Sequence, residues 1–295
     1  KRKVFIVTCQ NKKFGCGHFK RSQIIKREIN ERITSNIKTY LMESNKVNKN
    51  GCIINLSKKK LISILKKNKH HLFIFDLAKP IINKISKILK NLKYIIMIDQ
   101  KVDNKNAITI IPAARLKSKR KESLFAGINY LFLNRNINKL NELKKLHTSN
   151  NKKILTFGAT FYKNSSVENL IKHNKYISVI LGKYVNNREL NIYRRLKPLE
   201  IIFNPHNYLE IITLSKKIYC KFGVSTYEFI SLGKKPTLFF ENEKDERLKE
   251  LMWLKKNNYI NKYGEKEIIN YDIKKLDPNK CLNNISKLIG KKLYD

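Results

Sequence analysis

The sequence predicts an α/β protein built from two doubly wound, parallel-sheet domains facing each other across a cleft. Three observations carry this expectation. The chain has 295 residues, more than one ordinary domain, and two domains of roughly 150 residues are the default division. Short β-rich runs alternate with helical patterns from one end to the other, as in parallel α/β layers. Runs such as Tyr94-Ile95-Ile96-Met97-Ile98 are apolar without interruption, which fits strands covered on both faces. A hydrophobic fraction of 42% is enough for two buried cores.

The elements follow in order. Val4–Thr8 reads as the first strand and His18–Ile33 as an amphipathic helix. Thr39–Met42 and Cys52–Asn55 are weaker strands, and Leu61–Leu65 belongs to a helix. His71–Phe75 is a strand ending at Asp76, Ile81–Leu92 a helix, Tyr94–Ile98 a strand ending at Asp99, and Ala107–Ile111 a further strand. A polar stretch from Asn134 to Lys153, with a helix around Leu140–Leu146, reads as the crossing between domains. The rhythm then restarts. Strands are expected at Ile154–Phe157, Tyr176–Leu181, Glu200–Phe203, Ile218–Cys220 and Thr237–Phe240. Helices are expected at Ser165–Ile171, Tyr208–Ile212, Ser225–Leu232, Glu243–Lys256 and Ile285–Leu293. The expected domains are residues 1–140 and 150–295, with the last helix a candidate to pack back on the first domain.

Composition excludes several classes. No apolar run approaches the roughly 18 residues needed to span a bilayer. Lys1 to Cys9 superficially suggests a secretion signal, but Val4-Phe5-Ile6-Val7 has strand length and no small-residue cleavage site follows. A cytoplasmic protein is the expectation. The five cysteines, Cys9, Cys16, Cys52, Cys220 and Cys281, form no CxxC pair and suit neither a disulfide framework nor a zinc site. The net charge of +40, from 63 Lys and Arg against 23 Asp and Glu, would suit a nucleic-acid or anionic-membrane partner. A binding footprint concentrates its cations with interleaved aromatics. Here Lys is found in every segment, so compositional drift is the favoured reading and no dedicated nucleic-acid partner is expected.

Two motifs carry candidate chemistry. The first strand runs into Gly15-Cys16-Gly17-His18-Phe19-Lys20-Arg21. Two glycines permit a tight turn and close approach to a ligand, and the helix start behind them suits a phosphate or developing negative charge. That positive end disfavours an imidazolium, which makes His18 a candidate to accept a proton. Arg21 lies one turn on, on the same face. A plain turn with a histidine cap is the competing explanation, and Cys16 is assigned to packing.

The second is Phe222-Gly223-Val224-Ser225-Thr226-Tyr227-Glu228, followed by Leu232-Gly233-Lys234-Lys235-Pro236. Ser225 with Glu228 three residues on reads as a helix N-cap and capping box. The functional alternative places a diphosphate on the amides of Val224–Thr226 and a ribose diol on Glu228. Gly158, in the turn Phe157-Gly158-Ala159-Thr160, and Asn242 add weaker candidates at strand C-termini.

In this order, the motifs resemble the PseG/SpsG family, which has a GT-B-like fold of two Rossmann-like domains. Gly15 to Arg21 resembles its G-x-G-H-x-x-R segment, Phe73–Asp76 and Ile95–Asp99 its two strands ending in aspartate, and Tyr130–Arg135 its segment before the crossover. Ile154–Gly158 resembles its second-domain glycine turn, Gly223–Glu228 through Pro236 its nucleotide site, and Glu241–Glu243 its x-N-Q. Val224, Gln100, Asn134 and Glu243 depart from that pattern. The resemblance implies hydrolysis of a UDP-activated diacetamido-trideoxyhexose to free sugar and UDP, in pseudaminic-type nonulosonic acid biosynthesis. It gives His18 as catalytic base, and Gly15, Gly17, Arg21, Gly158, Gly223, Ser225, Thr226, Glu228 and Asn242 as substrate-binding residues, with no cofactor or metal. Asp76 and Asp99 are read as structural strand ends. The alternatives are a GT-B glycosyltransferase using a UDP-sugar donor and a non-catalytic polyanion-binding protein.

Overall fold

The computed structural model describes residues 2–13, 15–33, 36–42, 53–118, 123–134, 136–146, 150–159, 161–174, 176–240, 245–265 and 275–294. Thr160, Arg135, Cys52 and the Glu241-Asn242-Glu243 segment, singled out above, lie outside these residues. The chain divides into two units: residues 1–132 with 279–295, and residues 133–278.

The first unit is a seven-stranded parallel sheet. In chain order it contains β1 (Val4–Cys9), α1 (Gly17–Arg32), β2 (Ile37–Met42), β3 (Ile53–Leu56), α2 (Lys58–Lys67), β4 (Leu72–Asp76), α3 (Lys79–Leu89), β5 (Ile95–Ile98), β6 (Ala107–Ile111) and β7 (Leu124–Ala126). The strand order is β3-β2-β1-β4-β5-β6-β7, and every pairing is parallel.

The pleat divides each strand between two cores. Phe5, Val7, Phe73 and Phe75 turn to one face, against Leu61 and Leu65 of α2 and Ile81, Ile85 and Leu89 of α3. Val4, Ile6, Leu72 and Ile74 turn to the other, against Ile25 and Ile29 of α1. Both faces are therefore covered, which is why these strands read as unbroken apolar runs.

The second unit contains α4 (Asn136–Leu146), β8 (Asn150–Thr156), α5 (Ser165–Lys172), β9 (Ile177–Leu181), α6 (Asn187–Arg195), β10 (Glu200–Phe203), α7 (Tyr208–Leu214), β11 (Ser215–Lys221), α8 (Val224–Ser231), β12 (Thr237–Phe239), α9 (Asp245–Lys256) and β13 (Asn261–Lys262). Its parallel sheet has the order β10-β9-β8-β11-β12-β13. The polar stretch 134–153 thus holds a full helix and the start of β8, and the division falls ahead of it, at Leu133.

The sequence reading missed three elements: α6, β7 and β13. The α6 segment is strongly polar and buries only Tyr193, so its apolar periodicity is faint. It nevertheless carries a plain start signal. Asn186 accepts from the Glu189 amide, and the Glu189 carboxylate accepts from the Asn186 amide, at 2.9 Å each way.

The last helix, α10 (Pro278–Tyr294), belongs to the first unit. Ile285, Ile289 and Leu293 enter the α1 face of its core. Arg2 donates to the Leu293 carbonyl at 2.8 Å, tying the first strand's approach to the helix end. Ile289→Ala is expected to destabilise the first unit by about 3 kcal/mol, as buried truncations of this size do. Hydrogen exchange at β1 and β4 measures it, and lost protection confined to residues 133–278 would contradict the assignment.

Candidate active site

In a doubly wound sheet the strand order reverses beside the first strand, and ligands bind outside the strand C-termini there. In the first unit that point lies between β1 and β4, where Thr8 is in register with Asp76. Gly15, in the left-handed region at φ 70°, donates to the Asn11 carbonyl at 2.8 Å and closes the turn leading to α1. Cys16 is the N-cap residue and Gly17 the first helical residue. His18 and Arg21 therefore occupy the first turn and a half of α1, one helical turn apart.

Both reach Asp76, whose side chain is fully buried. Arg21 donates from Nε to Oδ2 at 2.8 Å and from Nη2 to Oδ1 at 2.7 Å, a two-pronged ion pair. His18 Nδ1 lies 2.6 Å from the same Oδ1. An ionised carboxylate only accepts, so Nδ1 carries a proton directed at Asp76 and Nε2 is the ring's remaining acceptor. Arg21 Nη2 is 2.9 Å from His18 Nδ1 because both nitrogens converge on one oxygen. Nη2 also approaches Asp99 Oδ2 at 3.5 Å. Asp99 follows β5 in the left-handed region at φ 67°.

Burial works to raise the Asp76 carboxyl, but the charge and hydrogen bonds of Arg21, with the hydrogen bond from His18, hold it below the ordinary carboxylate value. Burial likewise works to lower the Arg21 guanidinium, and the Asp76 charge lifts it above its ordinary range. Sequence reading set Asp76 aside as structural. It missed the partnership because β4 is distant in the chain, and only the strand order places it beside β1. The available signal was an apolar strand ending in an acid.

The second unit places its motifs at the equivalent point, between β8 and β11, where Thr156 is in register with Cys220. Gly158 follows β8 at φ 73°, and a Cβ there would meet open space. Its turn rests against Gly182, where a Cβ would lie 2.1 Å from the Gly158 carbonyl oxygen. Gly182 was not singled out in the sequence, since nothing in its flanks marks a close backbone approach.

The start of α8 differs from the expectation. The N-cap is Gly223, not Ser225, and the Gly223 amide donates to Thr226 Oγ1 at 3.2 Å. Thr226 also donates its amide to the Gly223 carbonyl at 3.0 Å and hydrogen-bonds the Cys220 thiol, which burial pushes upward. Thr226 is therefore spent within the fold. Val224 and Ser225 supply the first two helical amides, which have no intrahelical acceptor.

The Ser225 side chain bonds the Tyr208 hydroxyl, which also meets Thr156 Oγ1 at 3.4 Å. Burial, ahead of the nearby Glu228 charge, holds this phenol well above its ordinary value. Glu228 itself is buried one turn into α8. The Leu232–Pro236 segment lies at the opposite edge of the sheet. Gly233, at φ 66°, ends α8, and Lys234 donates to the carbonyl of Ser215 at the start of β11, at 2.5 Å. That part of the family-like pattern serves the fold.

Among the described residues no three His, Cys, Asp or Glu side chains converge to hold a metal ion. No helix among them is long and apolar enough to cross a membrane.

No family model and no curated protein matches the chain. Among solved structures it is similar to a glycosyltransferase from Rickettsia africae, at 12% identity and a TM-score of 0.56, covering 100% of this chain and 99% of that one. It is similar to Acinetobacter baumannii MurG, at 9% identity and 0.55, covering 99% and 92%. It is also similar to Arabidopsis thaliana UGT89C1 complexed with UDP-L-rhamnose, at 11% identity and 0.56, covering 99% and 90%. At these identities the likeness is one of fold. The fold class is GT-B: two Rossmann-like units, each a parallel sheet of the doubly wound order.

Asp76→Asn is expected to destabilise the first unit by about 3 kcal/mol or more at neutral pH, because Arg21 keeps a buried charge without its partner. The folded Asp76 carboxyl lies below its unfolded value of 3.8. Its contribution is thus complete above that value and is lost as pH falls through the folded one. Denaturation midpoints over a falling pH series should show a steeper acid loss in wild type than in the variant. Gly182→Ala is expected to displace the Gly158 turn, raising the dissociation constant of any ligand held there by about tenfold with a small change in overall stability. Unchanged affinity would show that the turn is not part of the site.

Proposed function

We propose that this protein is a nucleotide-sugar enzyme that transfers the sugar of a UDP-sugar to an acceptor hydroxyl. The observation that carries the reading is the His18–Asp76–Arg21 cluster at the switch point of the first sheet. A histidine whose Nδ1 is committed to a buried carboxylate has a fixed ring orientation and one basic nitrogen left to take a proton. As Nε2 takes the acceptor proton, the imidazolium that forms is stabilised by Asp76, and attack proceeds at the anomeric carbon. Arg21 keeps Asp76 ionised throughout.

The second unit's part is to hold the nucleotide. The amides of Val224 and Ser225, at the positive end of α8, suit the diphosphate and the charge that develops as UDP departs. Gly158 and Gly223 border open space that a ligand backbone or phosphate can enter. Glu228 and Asn242 are assigned to the ribose and sugar hydroxyls. The shared fold with glycosyltransferases, one of them complexed with UDP-L-rhamnose, supports this reading.

Hydrolysis of a UDP-diacetamido-trideoxyhexose is the second reading, with water in place of the acceptor. It is favoured by one specific observation. The Gly15–Arg21 segment that resembles the hydrolase family supplies the two side chains that meet Asp76.

The test is UDP release from a panel of UDP-sugars, with and without acceptor alcohols. Release that needs an acceptor, and that falls about 100-fold or more in His18→Ala, is the expected outcome for a lost general base. Equal release into water alone would select the hydrolase. Neither release nor UDP binding would overturn both.

A further inference from the structure

A separate hollow lies on the other face of the first sheet. It is lined by Met42, Leu56, Ser57, Lys58, Ile81, Lys84 and Ile85, with a volume of about 410 Å³, within the range of small-molecule sites, about 300–1,000 Å³. Met42 and Leu56 end β2 and β3 and lie in register with each other. Ile81 and Ile85 are successive turns of α3, and both are buried. The floor is therefore aliphatic and belongs to the rigid core of the unit, so the cavity is preformed.

The rim is different. Ser57 uses its hydroxyl to accept the Lys60 amide at 3.3 Å, capping α2. The other polar side chains of the lining are two exposed ammoniums, Lys58 and Lys84. Neither flanking helix contains an acid: α2 reads KKKLISILKK and α3 reads KPIINKISKIL. The field over the mouth is thus positive from both walls, and a ligand suited to it is apolar at one end and anionic at the other. A neutral apolar molecule would leave the rim unused, and a free anion would leave the floor exposed.

We propose that this hollow binds a small amphipathic anion: an aliphatic chain seated on Met42, Leu56, Ile81 and Ile85, with a terminal phosphate held between Lys58 and Lys84. The hollow also opens on the carboxyl edge of the sheet that carries His18, since Met42 is in register with Cys9, the residue after Thr8. A role for the occupant as acceptor rests on the transferase reading; the binding itself does not.

The experiment is calorimetric titration of the full chain, without nucleotide sugar, using decyl phosphate below its micellar concentration. Decanol, inorganic phosphate and phosphatidic-acid vesicles form the comparison arms. Wild type is expected to bind decyl phosphate saturably at one site, at least about tenfold tighter than decanol or inorganic phosphate. Lys58→Glu with Lys84→Glu, both on the surface, is expected to weaken it about tenfold or more. Met42→Trp, which fills the floor, is expected to abolish it.

Equal affinity in wild type and the double variant, or equal affinity for decanol, would overturn the proposal. So would binding to vesicles with none to decyl phosphate, which would mean that the face reads a lipid surface. Because no turnover is measured, failure of the transferase reading leaves this result intact, and the reverse also holds.

Discussion

The first unit is organised around one buried negative charge. Asp76 lies at the end of β4 with no exposure to solvent, and such a carboxylate is tolerated only if paired and hydrogen-bonded. Three donor nitrogens on α1 meet that demand: two from Arg21 and one from His18. For those donors to arrive, α1 must begin immediately after β1 and run over the α1-facing side of the sheet. The left-handed turn at Gly15 provides the first condition, and the register of Thr8 with Asp76 provides the second. The ion pair thus ties together the chain reversal, the strand order and the aim of the histidine.

The second unit solves the same geometric problem with neutral groups. Tyr208 joins Thr156 on β8 to Ser225 on α8, and Thr226 closes the turn from within. Hydroxyls satisfy one another at less desolvation cost than ions. This leaves the positive end of α8 uncompensated by a protein carboxylate at its mouth, as a phosphate-binding helix start requires. Glu228 is a full turn inside, where it bears on Tyr208 rather than on the helix start. The two units thus share a strand order and divide the electrostatics, a paired acid and base in one and an anion-accepting helix end in the other.

Much of this was legible in the sequence, for identifiable reasons. Strands buried on both faces announce themselves as continuous apolar runs, so β1, β4, β5 and β9 were found nearly to the residue. The glycine-bearing turn before His18 was legible because Gly15 needs a left-handed conformation. What could not be read was adjacency across the sheet. Asp76 seemed a strand-end residue because its partners are 55 and 58 positions away. Ser225 seemed the N-cap because hydroxyls outrank glycine there. The helix starts two residues earlier because Thr226 can reach back to the Gly223 amide. Gly182 matters through a neighbour 24 positions earlier, and no local pattern reports a steric contact of that kind.

The charge imbalance bears on the same point. With 63 cationic and 23 acidic side chains, most surface lysines have no acid to pair with, and self-repulsion works against compactness. Exposed pairs such as Lys249–Glu246 offset little of this, because solvent screens them. In such a field a buried acid has a different value from an exposed one. Replacing Glu246 removes a weak attraction in water; replacing Asp76 leaves Arg21 without a counter-ion and His18 without a fixed tautomer. The scarcity of acids therefore sharpens the reading of the site. Where nearly every surface position tolerates lysine, a carboxylate enclosed between an arginine and a histidine is held there by its geometry.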